Sequence, residues 1–276
     1  MSNTKHKVSD RPAAPKDLAD WLLARGRHWI TTAEVANLID IPANQVRMVT
    51  ARLVKKNQLF SPTRGAYVPI PPEFRSWGVV PASHFIDALM KHLDHDYYVG
   101  YLSAAEVHGS AHQRPQVFQV LTSARLKDRR FGRVRIEFTF ATHLSRRPVV
   151  KVNTPTGVMR VSSPEVTVFD LVASPHHGGG LSNIATVIAE LIEADRLSST
   201  ALAGIADLYR VAVRQRVGWI IERAVARASS KFDLSTLARS VRERSEPTPL
   251  DASGRRAGKL NDRWNILVNS DVEPDL

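Results

Sequence analysis

Pro42-Ala43-Asn44-Gln45-Val46-Arg47-Met48-Val49-Thr50-Ala51-Arg52-Leu53-Val54-Lys55-Lys56-Asn57 decides how the N-terminal part of the chain is read. Proline is tolerated in a first helical turn, so Pro42 can open a helix. Stepped at about 100° per residue, Val46, Val49, Thr50 and Leu53 fall on one side, and Asn44, Gln45, Arg47, Met48, Arg52 and Lys55 on the other. From Pro42 to Arg64 there are five basic residues and no acidic one. Arginine reads guanine, asparagine and glutamine read adenine, and lysine neutralises phosphate, which is the chemistry a helix in a major groove needs. A basic helix face also arises from solvation alone, so the flanking segments have to decide.

Upstream, Pro15 opens a helical pattern with Leu18, Trp21 and Leu22 at 3 and 4 spacing, ending near Gly26. Thr31 or Thr32 can cap a short helix carrying Val35, Leu38 and Ile39 on one face, and Asp40-Ile41-Pro42 breaks it. Downstream, Leu59-Phe60 and Ala66-Tyr67-Val68 flank Ser61-Pro62-Thr63-Arg64-Gly65, the pattern of a hairpin. Three short helices followed by a hairpin is the order of a winged helix-turn-helix, expected over residues 15–70. Its expected DNA contacts are Asn44, Gln45, Arg47, Met48, Arg52, Lys55 and Lys56 on the third helix, with Arg64 at the wing tip.

The whole chain has room for more. Its 276 residues, 43% hydrophobic and 24% charged, suit two globular domains. Met1 to Ala14 reads as a disordered polar tail, 71–81 as a proline-rich linker, and 82–276 as a second domain. No apolar run approaches the roughly 18 residues of a bilayer span and no signal-peptide pattern opens the chain, so a soluble cytoplasmic protein is expected. The absence of cysteine excludes disulfides, thiolate zinc sites and cysteine nucleophiles. Lys and Arg outnumber Asp and Glu by 38 to 27, a net charge of +11 that favours a polyanionic partner.

Beyond the linker the periodicity predicts helices over Ser83–Leu93 and Tyr98–Val107. Strands follow over Gln116–Thr122, Arg133–Phe140, Val149–Asn153 and Val158–Val161. From Ser163 the pattern turns helical, over Pro164–Val172, Ser182–Ala194, Ser199–Tyr209, Val211–Ala228 and Leu234–Val241. Ser245–Asn261 reads as a loop and Arg263–Asn269 as a last strand. The fold class expected is α+β: a winged helix followed by a larger mixed domain with a small sheet and several helices. Arg125, Lys127, Arg129, Arg130, Arg133 and Arg135 form a second basic concentration, expected as an auxiliary polyanion surface, with Arg133 and Arg135 opposite Val134, Ile136 and Phe138.

Catalytic constellations are incomplete. His108 and His112 are four apart, but Gly109-Ser110 and Pro115 end the helix that would present them together. His176-His177-Gly178-Gly179-Gly180 is a glycine-rich loop, read as a hinge rather than a phosphate cradle. Glu137 and Asp128 do not make the converging carboxylates that metal-dependent phosphodiester cleavage wants. There is no Gly-x-Ser-x-Gly elbow and no phosphate loop with lysine. Neither metal, cofactor nor catalytic residue is therefore expected.

Several stretches of the second domain, in order, resemble the C-terminal region of the AbiEi family of antitoxins. They are Tyr97-Tyr98-Val99-Gly100-Tyr101-Leu102-Ser103-Ala104-Ala105-Glu106-Val107-His108-Gly109, Arg114-Pro115-Gln116-Val117-Phe118-Gln119-Val120-Leu121-Thr122, Thr154-Pro155-Thr156-Gly157, Ser163-Pro164-Glu165-Val166-Thr167-Val168-Phe169-Asp170-Leu171, Gln215-Arg216-Val217-Gly218-Trp219-Ile220-Ile221-Glu222 and Arg263-Trp264-Asn265-Ile266-Leu267-Val268-Asn269. The resemblance implies an N-terminal domain that binds promoter DNA and autoregulates an operon, and a C-terminal domain opposing a co-encoded nucleotidyltransferase-like toxin. The bottom-up alternatives are a plain transcriptional regulator whose second domain dimerises or senses a ligand, and a DNA-targeted nuclease. Tyr97, Tyr98 and Tyr101 read more readily as core than as a partner surface. Gly218 reads as a small residue facing a large indole or a neighbouring backbone. The expected DNA complex is two copies on an inverted repeat.

Overall fold

The computed structural model describes residues 11–12, 14–110, 115–228, 232–242 and 246–273. Most of the tail expected at 1–14, together with His112 and Arg114, lies outside the described residues. The fold is α+β, in two compact units. The first holds the described residues up to His95 with Asp128–Ile136 and Asn153–Met159; the second holds Asp96–Lys127, Glu137–Val152 and the described residues from Arg160 onward.

In the first unit a 3-10 turn, Pro15–Asp17, leads into α1 (Leu18–Leu23). Gly26 follows at φ 64°, the left-handed geometry that a glycine beyond a helix end accepts. The chain then forms β1 (Ile30–Thr31), α2 (Thr32–Ile39) and α3 (Ala43–Lys55). Thr31 caps α2 in a reciprocal box: its Oγ1 accepts from the Glu34 amide at 3.3 Å, and Glu34 Oε2 accepts from the Thr31 amide at 2.7 Å. Asp40, at φ 55°, stops that helix, and Pro42 stands at the N-cap of α3.

The wing is β2 (Leu59–Thr63) and β3 (Ala66–Pro69), in a three-stranded antiparallel sheet of order β1-β3-β2. Leu18, Leu22, Ile30, Val35, Val46, Leu53 and Leu59 make the core of this part. The proline-rich stretch 71–81 also belongs to the unit, and Ile70, Val79 and Val80 are buried. Beyond α4 (Ile86–His92), the rings of Phe60, Phe85 and Phe131 cluster with centroids 5.1–6.0 Å apart. Phe131 ends β6 (Arg129–Phe131), a strand that periodicity did not reveal because arginines rather than alternating apolar residues fill it.

The remaining strands are β4 (Tyr97–Val99), β5 (Phe118–Thr122), β7 (Val134–Phe140), β8 (Val149–Thr154) and β9 (Gly157–Ser162). With β6 they form a sheet of order β6-β7-β5-β4-β9-β8. Tyr97–Val99 pairs antiparallel with β5, so the helix expected from Tyr98 begins only at α5 (Tyr101–Val107). Three consecutive buried side chains, Tyr97, Tyr98 and Val99, fit a strand covered on both faces better than a helix.

The helices that follow are α6 (Pro164–Ala173), α7 (Leu181–Glu193), α8 (Ser199–Ile205), α9 (Val211–Ala228) and α10 (Ser235–Arg242). The segment expected as a loop contains β10 (Thr248–Pro249) and β11 (Lys259–Asn261), which flank β12 (Ile266–Val268) in a small sheet.

Motif residues fasten α9 to this small sheet. Gln215 Nε2 donates to the Asn265 carbonyl at 3.3 Å, Arg216 Nε to the Pro249 carbonyl at 3.0 Å, and Trp264 Nε1 to Glu222 Oε2 at 2.8 Å. Trp264 is fully buried against Gly218, where an added Cβ would stand 2.0 Å from the indole ring. The large ring facing Gly218 is thus Trp264, supplied by the closing motif. Gly218→Ala is expected to destabilise the protein by about 2 kcal/mol or more through overpacking, read as a lowered urea midpoint with an unchanged m value. Equal midpoints would refute the tight contact.

Candidate nucleic-acid interface

The third helix presents the side chains that its periodicity predicts. Val46, Thr50 and Leu53 are buried, Val49 is half-buried, and Asn44, Gln45, Arg47, Met48, Arg52, Lys55 and Lys56 are exposed. Arg64 is exposed at the wing turn, where Gly65 takes φ 81°. Thr50 ties its hydroxyl to the Val46 carbonyl at 2.9 Å, which lets a polar side chain sit in the core.

Charge pairing separates α3 from its surroundings. Elsewhere in the unit Arg27 pairs with Glu34, Arg75 with Asp20 and Lys91 with Asp87. Among the described residues no carboxylate pairs with Arg47, Arg52, Lys55, Lys56 or Arg64. An acid-free cationic helix beside a cationic wing tip concentrates positive potential on one surface.

The other six basic residues are divided between the units. Arg125 and Lys127 are exposed in the second, and the Arg125 guanidinium lies over the Phe140 ring at 4.8 Å. In the first, Arg130 and Arg135 are exposed and directly opposite each other across the β6–β7 hairpin, a like-charge pairing that destabilises a hairpin. Arg133 is exposed and stacks over the Trp77 ring at 4.5 Å. Arg129 differs: half-buried, it donates to the Pro62 carbonyl of the wing, and burial pulls its pKa down. It props the wing, a role that its place in an arginine run concealed.

The second unit has a polar centre that sequence reasoning missed. Asp170 on α6 is buried. It accepts from Tyr98 Oη at 2.7 Å, Tyr209 Oη at 2.9 Å and Arg147 Nη1 at 2.9 Å, and Arg147 also donates to Tyr98 Oη at 2.7 Å. Burial pushes the Asp170 carboxyl above its ordinary range, and the guanidinium and two phenols pull it back. Burial works against the charge of Arg147, but neighbouring Asp170 outweighs it and holds the guanidinium above its ordinary pKa. With both tyrosines buried and Arg147 half-buried beside them, this cluster braces the fold. The signal was a charged residue within the apolar run Val166-Thr167-Val168-Phe169-Asp170-Leu171.

Ser163 caps α6, and Glu165 behind it is buried, accepting from Ser163 Oγ at 2.9 Å and from the Ser198 amide at 3.0 Å. Glu137 faces His177, with Oε1 3.4 Å from Nδ1, and the His177 ring stacks on Tyr101 at 4.3 Å. Gly178 is packed against Ile184 and Leu171, so the glycine-rich loop is a close fit at the start of α7 rather than an open hinge. Among the described residues no three of His, Asp and Glu gather as a metal-binding group, and no helix is long and apolar enough to cross a membrane. Tyr97, Tyr98, Tyr101 and Trp219 are all buried and belong to the core.

A family model described as the AbiEi antitoxin C-terminal domain matches residues 98–223, the stretch that Asp170, Arg147, Tyr98 and Tyr209 hold together. Over these residues the chain is similar to the C-terminal domain of AbiEi antitoxins. The match supports an antitoxin role in a toxin-antitoxin system. No curated protein matches the chain. Among solved structures it is similar to the crystal structure of RV2827C protein from Mycobacterium tuberculosis. The TM-score is 0.66 over 93% of this chain and 91% of that one, with 12% sequence identity, a likeness of fold.

Two predictions follow from the buried groups of the AbiEi-like domain. Arg147→Met leaves Asp170 without its cation and is expected to cost about 3–5 kcal/mol in denaturant unfolding; a loss under about 1 kcal/mol would show that Asp170 is held without it. His108 donates Nε2–H to the Ser162 carbonyl at 2.7 Å, and burial lowers its pKa. The unfolded chain therefore takes up that proton first, and stability is lost as pH falls from about 6.5 toward the lowered folded value. His108→Gln should flatten the stability profile between about pH 7 and 5.5, and an unchanged slope would assign the acid sensitivity elsewhere.

Proposed function

We propose that this protein is an antitoxin that binds the promoter of its own operon through the winged helix, represses it, and uses its C-terminal domain to oppose a co-encoded nucleotidyltransferase-like toxin in the cytoplasm. The observation that carries DNA binding is the acid-free face of α3, whose cations pair with no carboxylate among the described residues. Helix order, the capped approach through α2, and the wing support the same reading, as do amide side chains interleaved with the cations. In this reading α3 lies in a major groove, with Asn44, Gln45, Arg47 and Met48 toward base edges. Arg52, Lys55, Lys56 and Arg64 meet phosphates or, at the wing tip, a minor groove. Arg130, Arg133 and Arg135 supply further sequence-independent phosphate contacts in the first unit, and Arg125 and Lys127 are weaker members of that set. Two copies on an inverted repeat follow from the few base pairs that one module reads.

Opposition to the toxin is by binding rather than catalysis, because Glu137 is engaged with His177 and Asp170 is locked in the core. The aromatic residues once open as interface anchors are buried, so the toxin-facing surface has to use other side chains.

Gln45→Ala or Arg47→Ala is expected to cost about 1–3 kcal/mol of operator binding and relax specificity, whereas Lys55→Ala or Lys56→Ala should mainly reduce the salt slope, by about 0.9 per phosphate. Replacing Arg47, Arg52, Lys55 and Arg64 together should abolish repression while protection against the toxin persists in co-expression. The full chain is the proper vehicle, since a cut at residue 82 would separate Phe60 from Phe85 and Phe131 within one unit. Unchanged operator binding by the quadruple variant would sink the DNA assignment, and loss of protection by a folded, abundant variant would sink the division of labour.

A further inference from the structure

A groove of about 650 Å³ runs along one flank of α3, against the Pro15–Asp17 turn. Its floor is apolar, from Met48, Val49 and Leu53, and its rim is cationic, from Lys16, Arg52 and Lys56. Among the described residues no carboxylate pairs with any of the three rim cations. Met48 is 61% exposed at the groove, an apolar side chain left in water until a partner covers it. Phosphates account for the rim and a thymine methyl for Met48, but neither accounts for Val49 and Leu53 along the floor. The volume falls within the roughly 300–1,000 Å³ typical of small-molecule sites. Methionine in the floor suits a flexible chain, since its unbranched thioether adapts to irregular partners.

We propose that this groove binds one acyl-chain carboxylate, with the head group on Lys16, Arg52 and Lys56 and the chain along Met48, Val49 and Leu53. Its occupation displaces DNA, because Arg52 and Lys56 serve both ligands. The displacement rests on the promoter-binding reading, whereas acyl-anion binding does not.

The probe is laurate below its micellar concentration, titrated calorimetrically into the full chain. One-to-one saturable binding is expected, about tenfold weaker for decanoate because two fewer methylenes are buried. Dodecyltrimethylammonium, with the same chain and the opposite charge, should not bind. Arg52→Ala with Lys56→Ala should weaken laurate about tenfold or more. Met48→Asp, at an exposed position, should weaken it while the melting curve stays unchanged. Arg47 lies about 140° around the helix from Arg52, so Arg47→Ala should impair operator binding and leave laurate affinity as it is.

Absence of saturable binding overturns the proposal, as does indifference to chain length, equal affinity for the cationic amphiphile, or insensitivity to the rim variants. Association with phosphatidylglycerol vesicles without binding of monomeric laurate would make the flank a membrane-facing surface and overturns it too. With a labelled operator duplex present, laurate should release DNA, and simultaneous occupancy by both would refute the shared site. Laurate binding without any DNA binding would leave the groove standing and remove the promoter reading. DNA binding with a flat laurate titration would do the reverse.

Discussion

One buried carboxylate sets the terms for the domain that resembles AbiEi antitoxins. Asp170, on α6, has to be matched by charge and hydrogen bonds or it could not remain in the core, and its partners come from three other places in the chain: β4 with Tyr98, the segment before β8 with Arg147, and the approach to α9 with Tyr209. A single anion therefore registers sheet against helices. Stacking of Phe169 on Tyr209 at 4.5 Å, and of the Arg147 guanidinium over Tyr209, fills the space around it with rings. A buried pair of this kind is weak ground for net stability and better ground for a unique arrangement, because any other packing leaves a charge unpaired.

The two ends of the second unit repeat that logic with different chemistry. Glu165 is held where it can receive the Ser198 amide, which sets the start of α8. Gln215, Arg216, Gly218 and Glu222 clamp α9 to the small C-terminal sheet, with the Trp264 indole seated on the only residue that has no side chain. Residues that carry the family likeness in this chain are thus largely those that determine how its elements meet. This explains why the motifs carry no catalytic constellation although they contain carboxylates, tyrosines and arginines.

The first unit leaves its charge open instead. Its paired cations, Arg11, Arg27, Arg75 and Lys91, lie outside α3 and the wing, and Arg129 is turned inward to hold the wing. The cations of α3 and the wing tip keep none of the described acids beside them. Capping chemistry has a share in this: Thr31 and Glu34 start α2, and Asp40 in a left-handed conformation ends it. Pro42 then launches α3 with its polar face outward. The cationic surface is produced by backbone punctuation as much as by charge.

Local signals were strong enough in the sequence to place α2, α3 and the wing, to orient α3 by its apolar spacing, and to set Val211–Ala228 as one helix, because caps, turns and 3.6-residue periodicity act over a few residues. Charge distribution and the absence of cysteine were equally legible, since they depend on no contact at all. Tyr97–Val99 as a strand, β6 with its arginines, and β10 and β11 inside a Pro/Gly/Ser/Arg-rich stretch were not legible, because pairing partners rather than their own composition hold them. The same holds for function-bearing side chains. The sequence by itself determined a basic, amide-bearing helix. Only the tertiary structure decided that Arg129 props the wing, that Tyr98 and Arg147 complete the Asp170 cluster, and that Trp264 meets Gly218, since those depend on contacts between residues tens of positions apart, which no local pattern encodes.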